Sequence, residues 1–215
     1  MYAIEQSRET RREVLLAAIR EIGLCTLVTG AGGLAATLVP LAIRERAGGT
    51  LSLVGHFARA NPHWRGVGAG IEALALFQGP HAYVSPGWYA TKRETGKAVP
   101  TWAYVAVEAR GTLRLIEEPD RLRQVLAELT HDRESGRPAA WSLDEAPADY
   151  LAALMRGIVG FELEVSTLSG VWKLNQAKPA ADRQGTADGL SREPGANARI
   201  LSGMVRDGLA AAEEE

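Results

Sequence analysis

The stretch from Phe77 to Tyr104, FQGPHAYVSPGWYATKRETGKAVPTWAY, sets the rings of Tyr83, Trp88, Tyr89 and Trp102 beside the cations Lys92, Arg93 and Lys97. Aromatic bodies with polar tips next to cations suit a planar ligand carrying an anionic tail. Gly79-Pro80 and Ser85-Pro86-Gly87 are turn signals, so the rings are expected on loop or strand-end backbone. The plain alternative is a long surface loop pinned by buried rings. Two further segments share this chemistry. In GHFARANPHW, Arg59 and Asn61 stand where a strand gives way to a turn. A guanidinium fork there could take two phosphate oxygens while Asn61 donates a third hydrogen bond. Equally, Arg59 is a surface cation and Asn61-Pro62 starts a turn. Near the C-terminus, Val171-Trp172-Lys173-Leu174-Asn175-Gln176 again combines ring, cation and amides at a strand end.

Other patterns lack the context their chemistry requires. Val28-Thr29-Gly30-Ala31-Gly32-Gly33 is like a dinucleotide-binding turn, but such a turn must open a helix whose amides hold pyrophosphate. The following LAATLVPLAI has Pro40 where a helix interior would be, so a strand follows and GAGG is a hairpin turn. Gly66-Val67-Gly68-Ala69-Gly70 has neither the dinucleotide spacing nor a following Gly-Lys-Ser/Thr. His56, His63, His81 and His131 show no metal-ligand spacing, and Cys25 has no partner cysteine. No G-x-S-x-G elbow occurs. Glu117-Glu118 and Glu162/Glu164 have the spacing of solvated acids at a helix start and on a strand. Any redox chemistry therefore falls to a bound cofactor.

The elements that must position these residues are mostly strands. Thr10-x-x-Glu13 opens a capping box before the stripe Val14, Leu15, Ala18, Ile19 and Ile22, and Gly23 ends that helix. Strands are expected over 24–29, 34–43, 50–58 and 73–78, with the first two forming a hairpin. Residues 101–109 alternate, Trp102, Tyr104 and Ala106 against Ala103, Val105 and Val107. A bend at Arg110-Gly111 leads to a strand over 112–116. Pro119 starts a helix with Leu122, Val125, Leu126 and Leu129 inward, and a second begins near Pro147 with Tyr150, Leu151, Leu154 and Ile158. FELEVSTLSGVWKLNQ reads as two strands around Ser169-Gly170, residues 177–195 as a polar surface loop, and 197–212 as a helix before a solvated acidic run. Strands that do not alternate regularly with helices favour a barrel: a mainly β fold with peripheral helices, as one domain over residues 1–215. Hydrophobic content of 46% and charged content of 23% fit a soluble globular chain, and one cysteine fits a reducing cytoplasm. The polar start and the lack of an 18-residue apolar run argue against secretion and membrane insertion. A formal charge of −2, with no helix-turn-helix pattern, argues against direct DNA binding. Arg8, Arg11, Arg12 and Arg20 give some positive surface, but Glu5, Glu9, Glu13 and Glu21 interleave them.

Taken together, GHFARANPHW, FQGPHAYVSPGWYATK with GKAVPTWAY, IVGFELEVSTLSGVWKLNQ and DRQGTADGL resemble, in order, the signature blocks of the PaiB-type FMN-binding family. The resemblance covers roughly Leu24 to Gly189. It implies an FMN-binding split β-barrel like that of pyridoxamine phosphate oxidases, working as a homodimer with flavin sites at the subunit interface. Family members are described as negative transcriptional regulators. The resemblance puts Arg59 and Asn61 at the phosphate end and Ser85, Trp88 and Lys92 along the site, with Lys92 a second phosphate cation. It puts Trp102 near the ring system and Lys173 and Gln176 at its closing side. The strand Ala36 to Pro40, with Thr37, is the candidate for the polar edge of the flavin. The chain departs from the family pattern in four places. Ala36-Thr37-Leu38-Val39-Pro40 lacks an Asn-His pair, and Trp102-Ala103-Tyr104 replaces W-N-Y. Asn175-Gln176-Ala177-Lys178 replaces S-Q-N-R, and the amino-terminal pattern keeps only Met1-Tyr2. The functional expectations are therefore a PaiB-type regulator or flavin-linked redox sensor, a flavin reductase or oxidase using FMN and NAD(P)H, or a flavin-free dimeric interaction module.

Overall fold

A computed structural model describes residues 1–30, 33–46 and 48–213, the side chains of 211–213 excepted. The expected hairpin turn at Ala31-Gly32 and the terminal acidic side chains lie outside the described residues. In chain order the elements are β1 (Arg8–Glu9), α1 (Arg12–Ile22), β2 (Leu24–Thr29), β3 (Ala35–Pro40), β4 (Ala42–Glu45) and β5 (Leu51–Ala58). Then come β6 (Ile71–Val84), α2 (Ala90–Thr95), β7 (Thr101–Ile116), α3 (Pro119–Glu134), α4 (Ala148–Met155), β8 (Ile158–Lys173), α5 (Ala180–Arg192) and α6 (Ala196–Glu213). The described strands form one antiparallel sheet in the order β3-β2-β6-β7-β8-β5-β4, with β1 paired to β8. The expectation of a mainly β fold with peripheral helices holds.

Several local expectations are corrected. Gly79-Pro80, Arg110-Gly111 and Ser169-Gly170 do not break strands but lie inside β6, β7 and β8, three strands of 14 or 16 residues. Gly111 shows why a glycine sits mid-strand: a Cβ there would run into the carbonyl of Glu164 on the neighbouring strand. The second strand of the hairpin ends at Pro40, and Leu41 separates it from β4. The expected polar loop over 177–195 is helix α5 for most of its length.

The chain divides into two units. One comprises residues 12–77 and 108–168. Its core gathers Leu53, Phe57, Phe161 and Leu163 from β5 and β8, with the Phe57 and Phe161 rings 4.6 Å apart. Ala42, Val54, Ile116 and Val125 bury a second cluster under α3. The β2–β3 register puts Cys25, Leu27, Thr29, Thr37 and Val39 on one face and Leu24, Thr26, Val28, Ala36 and Leu38 on the other. The other unit comprises residues 1–11, 78–107 and 169–215. Val84, Tyr89, Ala103, Leu190, Leu201 and Val205 form its core, with Trp88 and Leu174 packed against it. Here α5 lacks a long apolar stripe because close approach does the work. A Cβ at Gly185 or Gly189 would collide with the backbone or the indole of Trp88, so two glycines one turn apart make a notch for that residue.

Candidate functional site

In the unit of residues 78–107, the strands lay a row of rings along one sheet face. On β6, His81 and Tyr83 share a face two residues apart, as do Trp102 and Tyr104 on β7. Tyr83 meets Trp102 edge-on at 6.2 Å between centroids, and His81 lies 6.3 Å from Trp102. Lys173, near the end of β8, holds its ammonium 5.8 Å from the centre of Tyr104. Trp102 is 53% exposed and Tyr83 47%, so large apolar surface faces outward in a platform with a cation at one end. An open cavity of about 520 Å³ lies beside His81 and Tyr83 and is also lined by residues 193–198, which lead into α6. Such a face can stack a planar ring system and meet negative charge with Lys173.

The neighbouring candidates are tied into the scaffold. The Ser85 hydroxyl accepts from Gly87 N at 3.1 Å and opens a 3-10 turn over Pro86–Trp88. Trp88 rests in the glycine notch of α5. Lys92 stands exposed on α2. Gln176 staples its own loop, accepting from Leu174 N at 2.9 Å and donating to the Trp172 carbonyl. Sequence reasoning missed the polar core beneath. Buried Asp182 accepts from Thr91 N at 2.9 Å, which anchors α2. Asn175, at φ 63, donates to the Tyr89 hydroxyl at 3.1 Å and to Thr186 Oγ1 at 3.2 Å. Burial pushes the Tyr89 phenol up, so it stays protonated as a partner for Asn175. What marks the block is Asn175 at positive φ, a signal that a sequence does not display.

Thr37, Arg59 and Asn61 belong to the other unit, where Thr37 and Asn61 meet at His63 and Arg59 turns to the carbonyls of Arg156 and Ile158. Asn61 caps the 3-10 turn Pro62–Gly66 by accepting from His63 N at 3.0 Å, and its amide donates to Thr37 Oγ1 at 3.0 Å. Thr37 Oγ1 lies 2.8 Å from His63 Nδ1, and Thr29 Oγ1 lies 2.9 Å from Nε2. Both threonines face inward by the hairpin register, so two hydroxyls meet a buried imidazole that packs against Phe57 at 5.0 Å. Burial holds the His63 pKa below its ordinary value, and the ring is neutral at pH 7. Arg59 donates from Nε to the Arg156 carbonyl and from Nη2 to the Ile158 carbonyl, each at 3.0 Å. Trp64 Nε1 donates back to the Arg59 carbonyl at 3.0 Å. The Arg59 guanidinium also lies 5.7 Å from the centre of the Trp64 ring, and Nη1 is 4.0 Å from Glu117. The side chains read as phosphate ligands thus share one turn, and their donors tie it outward, Arg59 to the carbonyls of Arg156 and Ile158 and Asn61 to Thr37. Among the described residues no cluster of His, Cys, Asp and Glu could hold a metal, and no helix is long and apolar enough to cross a membrane.

Residues 1–167 match the family model described as "Putative FMN-binding domain". The chain is 30% identical over 211 residues, 97% of this chain and 98% of the other, to protease synthase and sporulation protein PAI 2 of Bacillus subtilis. It is 31% identical over 192 residues, 76% of each chain, to an uncharacterised protein of Emericella nidulans. Among solved structures, the FAD and heme binding protein of Mycobacterium smegmatis matches at TM-score 0.53 and 18% identity, covering 78% of this chain and 73% of that one. A conserved hypothetical protein of Mycobacterium tuberculosis matches at TM-score 0.56 and 12% identity, covering 83% of this chain and 94% of that one. At such identities the structural likenesses speak to fold alone, which is the expected split β-barrel. With ordered sequence blocks, a family match over residues 1–167 and a full-length relative in agreement, the chain belongs to the PaiB-type FMN-binding domain family.

Proposed function

We propose that this chain binds FMN and serves as a homodimeric, flavin-linked regulator or redox sensor of the PaiB type. The observation that carries the reading is the outward row of His81, Tyr83, Trp102 and Tyr104 closed by Lys173. In this proposal Trp102 stacks on the isoalloxazine while Tyr83 and His81 hold its indole at a fixed tilt. Lys173 meets the electron-rich edge of the ring, and Lys92 supplies charge toward the phosphate. Ser85, Trp88 and Gln176 shape the surrounding backbone. Thr37, Arg59 and Asn61 act as supports, because their donors already hold the turn over residues 59–66. The flavin would supply the redox chemistry, and these side chains would bind and orient it. Regulation would run through a partner, since the formal charge of −2 offers little attraction to a phosphate backbone.

The test is a titration of purified protein with FMN, read by flavin fluorescence and absorbance. Saturable binding is expected, with Trp102→Ala and Lys173→Ala each weakening it by about tenfold or more, about 1.4 kcal/mol, and leaving the circular dichroism unchanged. Colourless protein that shows no saturation at high micromolar FMN would reject the reading. FMN-dependent consumption of NAD(P)H would turn it toward a reductase.

A further inference from the structure

We propose that Asn175 is a positioning residue for the cofactor: it fixes the end of β8 so that the Lys173 ammonium stays at the edge of the ring platform. The inference rests on the flavin reading of that platform and adds a residue set behind it. Lys173 is the last residue of β8, where sheet pairing ends, and its ammonium stands 5.8 Å from the centre of Tyr104. A lysine head is a point charge on a flexible four-carbon stem, so its aim depends on how firmly its backbone is held.

Directly after Lys173 the chain is locked. Leu174 packs against the core of the unit, and its N–H donates to Gln176 at 2.9 Å. Asn175 then takes φ 63, the one non-glycine residue in the left-handed region among the described residues. A residue with a Cβ keeps that conformation where its surroundings impose it. Here the side chain carries the imposition, donating to the Tyr89 hydroxyl at 3.1 Å and to Thr186 Oγ1 at 3.2 Å. Thr186 spends its own proton on the Asp182 carbonyl at 2.8 Å, which leaves its oxygen an acceptor for Asn175. Lys178 N donates to the Asn175 carbonyl at 2.9 Å, and the Lys178 ammonium lies 4.8 Å from the centre of the Tyr89 ring, so the turn closes on the same phenol. One amide thus ties the chain reversal after Lys173 to the residue before α2 and to the middle of α5.

Reduced FMN holds more negative charge on its ring than oxidised FMN, so a cation kept at the ring edge favours the reduced form. Binding of oxidised and of photochemically reduced FMN to the full chain, each followed without air by quenching of tryptophan fluorescence, tests the role. Lys173→Ala should lower the preference for reduced FMN by about fivefold. Asn175→Gly leaves positive φ open and removes only the amide; it should lower the preference by about threefold or more, with unchanged circular dichroism. The double variant should fall no further than Lys173→Ala, because both changes act through one charge. Thr186→Val removes one acceptor of the amide from the other side and should shift the preference the same way, which keeps the test open where Asn175→Gly fails to fold. Equal weakening of both forms in Asn175→Gly, or a loss that adds to that of Lys173→Ala, would overturn the positioning role while leaving the flavin site standing. An unchanged preference in Lys173→Ala would overturn it by removing the charge through which Asn175 acts. Wild-type protein that binds neither form would reject the flavin reading itself.

Discussion

His63 concentrates the residue-scale chemistry of one unit, because both ring nitrogens meet threonine hydroxyls and its own N–H is capped by Asn61. Removing the shared hydroxyl should leave two groups short at once. Thr37→Val takes away the partner of His63 Nδ1 and of the Asn61 amide, and should cost about 1–3 kcal/mol in denaturant unfolding, the range for a polar group left unsatisfied. The same burial sets a pH dependence. The pKa of His63 is lower in the folded than in the unfolded chain, and His56, with a buried Nδ1 that finds no hydrogen-bond partner among the described residues, shifts the same way. Below pH 6.5 the unfolded chain therefore binds more protons. The stabilisation is complete above 6.5 and is lost as pH falls from there through the folded values. Each histidine contributes a slope of at most about 1.4 kcal/mol per pH unit. Urea midpoints followed downward from neutral pH should show this decline, and His63→Gln should flatten it; an unchanged slope in that variant would place the titration elsewhere.

At the level of elements, two glycine positions carry close approaches that no other residue allows. Gly111→Ala would press a methyl group into the Glu164 carbonyl, a backbone atom that cannot swing aside. It should destabilise the protein by about 3 kcal/mol or more, as seen in thermal melts. Gly189→Ala meets a ring instead of a backbone, and Trp88 can give somewhat. A smaller loss of about 1–3 kcal/mol is expected, with a change in tryptophan fluorescence. These sites also explain what the sequence could and could not reveal. The alternation of Ala103, Val105 and Val107 against Trp102 and Tyr104 was visible because burial on one face of β7 leaves a period of two. The continuity of β6, β7 and β8 through Gly-Pro, Arg-Gly and Ser-Gly pairs was not, because neighbouring strands decide it. The same holds for α5, whose packing rests on Gly185 and Gly189 against Trp88 and not on a stripe of large apolar residues. Trp102 and Lys173 were legible as ligand candidates from type and spacing. That Arg59 bonds to the carbonyls of Arg156 and Ile158, while Asn61 and Gln176 bond within their own turns, depends on backbone placement that a sequence does not show.

For the molecule as a whole, assembly turns on the outward face of the β2–β3 hairpin. The register places Leu24, Thr26, Val28, Ala36 and Leu38 there, and β6 adds Leu74 and Leu76 through its pairing with β2. Leu38 is 67% exposed and Leu24 49%. Contiguous apolar residues on one side of a sheet whose other side is already buried call for a partner. A second copy of the chain is the proposed one, since FMN binding and homodimerisation are both part of the proposed function. Leu38→Asp tests both halves of that proposal. In a lone chain the change touches an exposed position and should alter stability by no more than about 0.5 kcal/mol. In a dimer closed through this face it would bury unpaired charges, and sedimentation should show the mass falling to that of one chain. If FMN also needs the second copy, its affinity should fall in the same variant although Trp102 and Lys173 are untouched. A monomeric variant that keeps full FMN affinity would separate assembly from cofactor binding, and a variant still dimeric would move the interface to another face.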